Sequence, residues 1–173
     1  LLAAARENAE QYLRRSLITQ SLRLTLDLGG SDLARTLGEG VYDLPVSVLA
    51  GGLPTVIELP KGPVQSITSV TTYDVENTSA VYSSANYSLN ADGARLSLNS
   101  GAMWPSNLRD LAACEIVYVA GYGSAASSVP QAIRTALLMH VQKMYDGRLV
   151  CELPEGCQRL LRPYRIMDGL SCG

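Results

Sequence analysis

The chain has 173 residues, 47% of them hydrophobic, with a formal net charge of −2. That length fits one domain with a real core, or one domain carrying a small subdomain. The near-neutral balance excludes a global basic field for holding nucleic acid, and no apolar run approaches the roughly 20 residues of a membrane span.

The chain begins at Leu1 rather than Met. That leaves room for an upstream segment, so the lack of a signal peptide excludes nothing. Leu2, Ala5, Ala9, Tyr12 and Leu13 recur at helical spacing among Arg6, Glu7, Glu10 and Gln11. The spacing predicts an amphipathic helix ending near Arg14 and Arg15, where basic residues suit the negative end of the helix dipole. Ser21 to Leu28 alternates strictly and predicts a half-buried strand with four Leu on one face, stopped by Gly29-Gly30. From Ser31 to Pro54 glycines and prolines break any pattern, which predicts a long loop, with Val46 to Leu49 as a short edge strand.

Val56 to Leu59 reads as a strand, Pro60 to Pro63 as a turn, and the β-branched run Val64 to Asp74 as a strand with a wet Ser/Thr face. Glu76-Asn77-Thr78 is a turn. Val81-Tyr82, Tyr87-Ser88-Leu89 and Arg95 to Leu98 follow as short strands, the last two joined by the hairpin signal Ala91-Asp92-Gly93. Trp104 is expected to plug the end of the sheet, and Glu115 to Val119 to close it. From Val129 the period changes. Pro130 suits a first helical turn, Ser127 or Ser128 can cap it, and Ile133, Leu137, His140, Val141 and Met144 fall on one face as far as Tyr145. Asp146-Gly147 ends the helix. Pro154 and Gly156 break the next segment, and Gln158 to Leu161 forms a short helical turn before Pro163. The arginine-rich tail has little apolar content to fold on.

The element order gives an α+β fold: a small helical bundle with an inserted antiparallel β-sheet subdomain, about residues 21–119, and an extended C-terminal arm. Residues 1–158 are read as the domain and 159–173 as the arm. The aromatic choice, nine Tyr with one Trp and no Phe, suits half-exposed sheet faces or wet interfaces.

Chemistry is sparse. Of the four cysteines, Cys114, Cys151, Cys157 and Cys172, no pair has C-x-x-C spacing, and His140 is the single histidine. Reduced thiols are the expectation, with a Cys151–Cys157 bridge or a metal site as the alternative. Phosphate-loop, dinucleotide, nucleophile-elbow and H-E-x-x-H motifs are absent. His140, mid-helix on an apolar face, is poorly placed for a serine triad. Asp74, Asp110 and Glu115 could supply paired carboxylates, though nothing in the sequence pairs them. No catalytic residue, metal or cofactor is expected.

Several segments together resemble the tailed-phage head–tail connector (adaptor) proteins, a family with members in prophages and gene-transfer particles. They are Leu17-Ile18-Thr19-Gln20 with the strand after it, Ile57-Glu58-Leu59-Pro60 through Ile67-Thr68-Ser69-Val70, and Trp104-Pro105. Then come Tyr118-Val119-Ala120-Gly121-Tyr122-Gly123, Val129-Pro130 with Ile133-Arg134, and Leu161-Arg162-Pro163-Tyr164-Arg165. The chain departs in its Gly38 to Pro54 stretch, in its cysteines and in lacking an upstream helix. The resemblance implies a non-enzymatic virion protein of the neck, made in the bacterial cytoplasm. It would form a homo-oligomeric ring, a dodecamer, beneath the portal protein, join head to tail and continue the DNA channel without specific DNA binding. A tail-side stopper or tail-completion protein would be the second partner, with no membrane involved. Carried onto this chain, Arg159, Leu160, Leu161, Arg162, Pro163, Tyr164 and Arg165 would be the portal-binding arm. Ile133, Leu137, His140, Val141 and Met144 would lie on the ring-wall helix. Arginines every third residue suit carboxylates on a partner. From another class, the Tyr, Ser and Thr content of the strands also allows a β-rich binding module, for carbohydrate or another ligand.

Overall fold

The computed structural model describes residues 1–28, 52–91, 93–147 and 152–166. Expectations for Gly29-Gly30, for most of the Ser31 to Pro54 stretch with its edge strand, and for Cys151, Cys172 and Asp92 lie outside the described residues. The fold is α+β. It divides into a helical unit, Leu1–Gln20, Pro60–Gln65 and Ala120–Gly173, and a β unit, Ser21–Leu59 and Ser66–Val119.

In the helical unit, α1 (Leu2–Leu13) is built from strong helix formers. It buries Ala5, Ala9 and Leu13, while Leu2, expected on the same face, is 69% exposed. The helix stops at Arg14, which takes the left-handed conformation at φ 55. The Arg14 and Arg15 N–H groups then satisfy the carbonyls of Gln11 and Glu10 at 3.3 and 3.2 Å. Glu10 holds the exit, its Oε1 accepting from the Leu17 N–H at 2.8 Å.

The second helix, α2 (Gln131–Gly147), buries Ile133, Ala136 and His140. A third, α3 (Glu155–Leu161), runs into one 3-10 turn, Arg162–Tyr164. Pro154 starts α3 instead of breaking a segment, and Gly156 lies inside it. Glu155 in the first turn and Arg159 in the last match the helix dipole, and they pair at 2.6 Å. Both side chains are more than three-quarters exposed, so that pair adds under about 1 kcal/mol. Apolar burial decides the matter: Cys157 and Leu161 join Ala9, Leu13, Leu17, Val129, Ile133 and Ala136 in one cluster. Burying a leucine contributes about 1.5–3 kcal/mol.

The β unit holds two sheets. One has the order β1 (Gln20–Leu26), β7 (Cys114–Ala120), β3 (Val64–Tyr73), β4 (Ser79–Val81). The other has the order β2 (Val56–Glu58), β6 (Arg95–Leu98), β5 (Tyr87–Leu89). As the alternation predicts, Leu22, Leu24, Leu26 and Leu28 are half-buried between exposed neighbours. β7 does not close its sheet at an edge; it lies between β1 and β3. Its Cys114, Ile116, Tyr118 and Ala120 are buried and the alternating residues half-buried, the pattern of a strand covered on both faces.

β3 and β4 pair antiparallel, Thr71 opposite Val81 and Tyr73 opposite Ser79. The turn between them is set by Asp74, whose Oδ1 accepts from the Glu76 and Thr78 N–H groups at 2.9 and 2.8 Å. The wet face expected on β3 exists at Ser66 and Thr68. Thr72 on that face is instead buried, its hydroxyl donating to the Ala80 carbonyl at 3.3 Å. The β5–β6 hairpin forms as expected, with Leu89 opposite Leu96, and Asn90 Oδ1 accepts from the Ala94 and Arg95 N–H groups. Trp104 is half-buried, with its ring 4.7 Å from that of Tyr82 and its Nε1–H donated to the Pro54 carbonyl at 2.9 Å.

Candidate functional site

The helical unit carries both sets of sequence-predicted site residues. On α2, Ile133, Leu137, His140, Val141 and Met144 do share one face. Ile133 and His140 are fully buried and the other three half-buried. Ile133 and Leu137 belong to the cluster that α1 and α3 complete, so this face is interior to its own unit. What α2 turns outward is Gln131, Thr135, Leu138, Met139, Gln142 and Tyr145. Sequence periodicity finds the apolar face; it does not say whether the same chain or a neighbour covers it.

His140 is 0% exposed, and its Nε2 is 3.2 Å from Asn8 Nδ2. With the amide N–H donating, Nε2 accepts and the ring proton sits on Nδ1, which has no hydrogen-bond partner. Burial pushes the imidazole pKa below its usual 6.5. Between the two values the unfolded chain binds the extra proton, so stability rises with pH across that window. It is fully present above about 6.5 and is lost as pH falls through the folded value. The melting temperature should therefore fall between about pH 7.5 and about pH 5.5, and His140→Gln should flatten that part of the profile. A variant that keeps the wild-type slope would assign the loss to other groups.

Up to Ile166 the C-terminal segment expected as an extended arm is helix and turn, because its leucines have a core to enter. Leu161 is fully buried, Leu160 and Tyr164 are half-buried, and Arg159, Arg162, Pro163 and Arg165 are exposed. The Ile166 N–H donates to the Leu13 carbonyl at 3.0 Å, which satisfies an orphan acceptor at the end of α1. Arg165 lies over the Tyr12 ring at 5.1 Å. Residues 167–173 lie outside the described residues.

Arg15 is the residue that sequence reasoning passed over. Its Nε donates to the Tyr164 carbonyl at 2.6 Å, tying the 3-10 turn to the end of α1. Burial pushes the Tyr122 phenol up, while the charge of Arg15 and its hydrogen bond to Tyr122 pull it back. The one signal for Arg15 was its place just beyond a helix end, which also fits a solvated charge.

Gly121-Tyr122-Gly123 is structural rather than a phosphate loop. Gly121 has φ +128, and a Cβ there would meet the Ile18 carbonyl carbon and oxygen at 2.6 Å and Thr19 N at 2.7 Å. The close approach lets the Gly121 N–H donate to the Pro63 carbonyl at 2.9 Å, and Gln65 Nε2 donate to the Gly121 carbonyl at 2.7 Å.

In the β unit, two of the three candidate carboxylates have local work. Asp74 builds a turn and Glu115 pairs with Arg23 at 3.5 Å, while Asp110 is exposed. A cavity of about 350 Å³ is lined by Leu28, Leu53, Leu98, Trp104, Leu108 and their neighbours. The ring of Tyr82 beneath Trp104 is only 8% exposed, so it is core and offers no stacking platform to a sugar. Cys114 and Cys157 are buried free thiols. Burial, with the Glu115 charge adding to it, pushes Cys114 up to about 12. Among the described residues no group of three or more His, Cys, Asp or Glu could hold a metal ion, and no helix is long and apolar enough to cross a membrane.

No protein-family model matches this sequence, and no curated protein matches it. Solved structures do match. A chain from the neck of a native GTA particle, computed with C12 symmetry, is 21% identical with a TM-score of 0.72, over 98% of this chain and 82% of that one. A chain from the neck of the empty GTA particle, computed with C6 symmetry, is 22% identical with a TM-score of 0.70, over 98% and 78%. A chain from the virion of the native gene transfer agent (GTA) particle is 21% identical with a TM-score of 0.71, over 98% and 77%. The shared fold thus spans both units of this chain.

Proposed function

We propose that this chain is a structural protein of a virion neck, a head–tail connector without enzymatic activity. It forms a homo-oligomeric ring beneath the portal, joins head to tail and continues the DNA channel. The observation that carries the proposal is the fold shared over 98% of the chain with chains of gene-transfer-agent necks and virions. The order of short motifs, from Leu17-Ile18-Thr19-Gln20 to Leu161-Arg162-Pro163-Tyr164-Arg165, points the same way. So does the net charge of −2, since a strongly basic lumen would grip DNA phosphates. The C12 symmetry computed for one of those necks makes a dodecamer the working stoichiometry. The portal protein and a tail-side stopper or tail-completion protein are the partners. Negative-stain images of purified portal complexes should gain a ring below the portal when this chain is added; unchanged portals would count against the whole reading.

Within that reading, the portal is met by the exposed arginines of α3 and its turn. Arg159 and Arg162 present their guanidinium groups to solvent from a backbone that Leu161 holds in place. Arginine forks suit bidentate contact with carboxylates on a partner. Replacing Arg159, Arg162 and Arg165 together by alanine should weaken portal binding by about 10²-fold, with thermal stability nearly unchanged and salt dependence reduced. Binding at wild-type strength would move the portal contact elsewhere on the chain.

A further inference from the structure

We propose that the portal contact reaches past α3, onto one basic face that takes an acidic segment of the portal protein. The face gathers Lys61, Arg162 and Arg165 around Arg15, where α1 ends. The inference rests on the portal reading and names the chemistry of the segment that the portal must bring.

The net charge of −2 conceals a segregation. The stretches of the helical unit hold ten Arg and Lys against six Asp and Glu, and those of the β unit four against ten. Charge of one sign collected on one unit steers a partner of the other sign.

Backbone contacts bring the cations together. Arg15 pairs with Lys61 in an isolated β-bridge, and the Ser16 N–H donates to the Lys61 carbonyl at 3.0 Å. Arg15 Nε reaches the Tyr164 carbonyl, which sets the 3-10 turn, with Arg162 at its start and Arg165 just beyond it, beside the end of α1. Lys61, Arg162 and Arg165 are exposed, and among the described residues none of the three has a carboxylate partner. Glu10, the carboxylate of α1 closest to Arg15 along the chain, accepts from the Leu17 N–H. Like charges held together without a counter-charge repel, and a carboxylate-bearing segment relieves that cost.

The backbone gives a second sign. Arg14 and Lys61 both take the left-handed conformation, at φ 55 and 58. Glycine or asparagine sits there at least cost, and such departures gather at functional sites. A lysine in that turn supplies a charge that the fold does not need. Tyr12, Tyr122 and Tyr164 lie half-buried beside these arginines. Arginine set among tyrosines is the composition of a protein–protein interface. Duplex DNA is the poorer match, since the acid-rich β unit repels it.

The test measures binding of the full chain to purified portal complexes, with circular dichroism confirming each fold. Lys61→Glu should weaken binding by about tenfold, although Lys61 is far from α3 along the chain. Adding Arg162→Glu should bring the loss to about 10²-fold. Lys61→Gly removes the charge and suits the turn, so it should weaken binding by about threefold or more while the melting temperature does not fall. Lys143→Glu, the same charge change near the C-terminal end of α2, should stay within about twofold of wild type. A polyglutamate peptide should compete with the portal for the wild-type chain, and better than a DNA duplex of equal charge. Lys61 variants that bind like wild type, or a Lys143 variant that loses as much, overturn the wider face and leave the arginines of α3 as the portal contact. No competition from polyglutamate, or stronger competition from the duplex, overturns the acidic segment. A wild-type chain that never binds portal complexes sinks this inference and the portal reading together.

Discussion

Gly121→Ala is expected to destabilise the helical unit by more than about 3 kcal/mol, a large share of the roughly 5–15 kcal/mol that holds an ordinary domain. Two costs combine. The φ of +128 is strained for any residue with a side chain. The added methyl would also sit 2.6 Å from the Ile18 carbonyl group and 2.7 Å from Thr19 N, backbone atoms that cannot rotate away. Relief means moving the strand roots apart and giving up the hydrogen bonds of Gly121 to Pro63 and Gln65. Gly52→Ala is the control, since nothing lies within 4 Å of its added carbon, and it should stay within about 0.5 kcal/mol of wild type. Urea unfolding followed by circular dichroism measures both. Equal midpoints for the two variants would show that the chain yields at Gly121 and that the close approach is dispensable.

Leu161→Ala should cost about 2–5 kcal/mol, the range for a leucine removed from a closed core. Leu161 is 0% exposed and sits with Cys157, Leu13 and Ile133 in the cluster that fastens α3. Losing it should also loosen two contacts on its C-terminal side, from Arg15 to the Tyr164 carbonyl and from the Ile166 N–H to the Leu13 carbonyl. Trypsin should then cut after Arg159 or Arg165 much faster than in wild type, the Arg162-Pro163 bond being resistant to it. If the proposed portal contact holds, portal binding should weaken as well, because the arginines proposed to make it lose their platform. Wild-type trypsin resistance, together with a stability change under about 1 kcal/mol, would mean that α3 is held by something other than this core.

Gly121 was visible in the sequence as part of a glycine turn after a strand, and a glycine there reads as a turn. That Ile18 and Thr19 press on it is a contact across about 100 positions, and no local pattern carries it. The same holds for β7. Its apolar run marked a strand, yet its place between β1 and β3 depends on partners far along the chain. Arg15 was hidden for another reason: a basic residue after a helix has an adequate local explanation, and the carbonyl it holds belongs to Tyr164.

Local chemistry therefore fixed the elements of this protein: α1 with its stop near Arg14, the alternating leucines of β1, the turn at Glu76-Asn77-Thr78, the β5–β6 hairpin and the proline-started α2. These depend on side-chain period, turn residues and capping groups within a few positions of one another. Tertiary structure alone decided which faces remain free. It turned Ile133 and His140 inward and left Leu138 and Tyr145 outside. It gave Leu161 a core to enter, so that the tail up to Ile166 is a folded platform for its arginines. The physical reason is that burial depends on what arrives from elsewhere in the chain, and a periodic stripe of apolar residues specifies that it needs a cover without specifying which one.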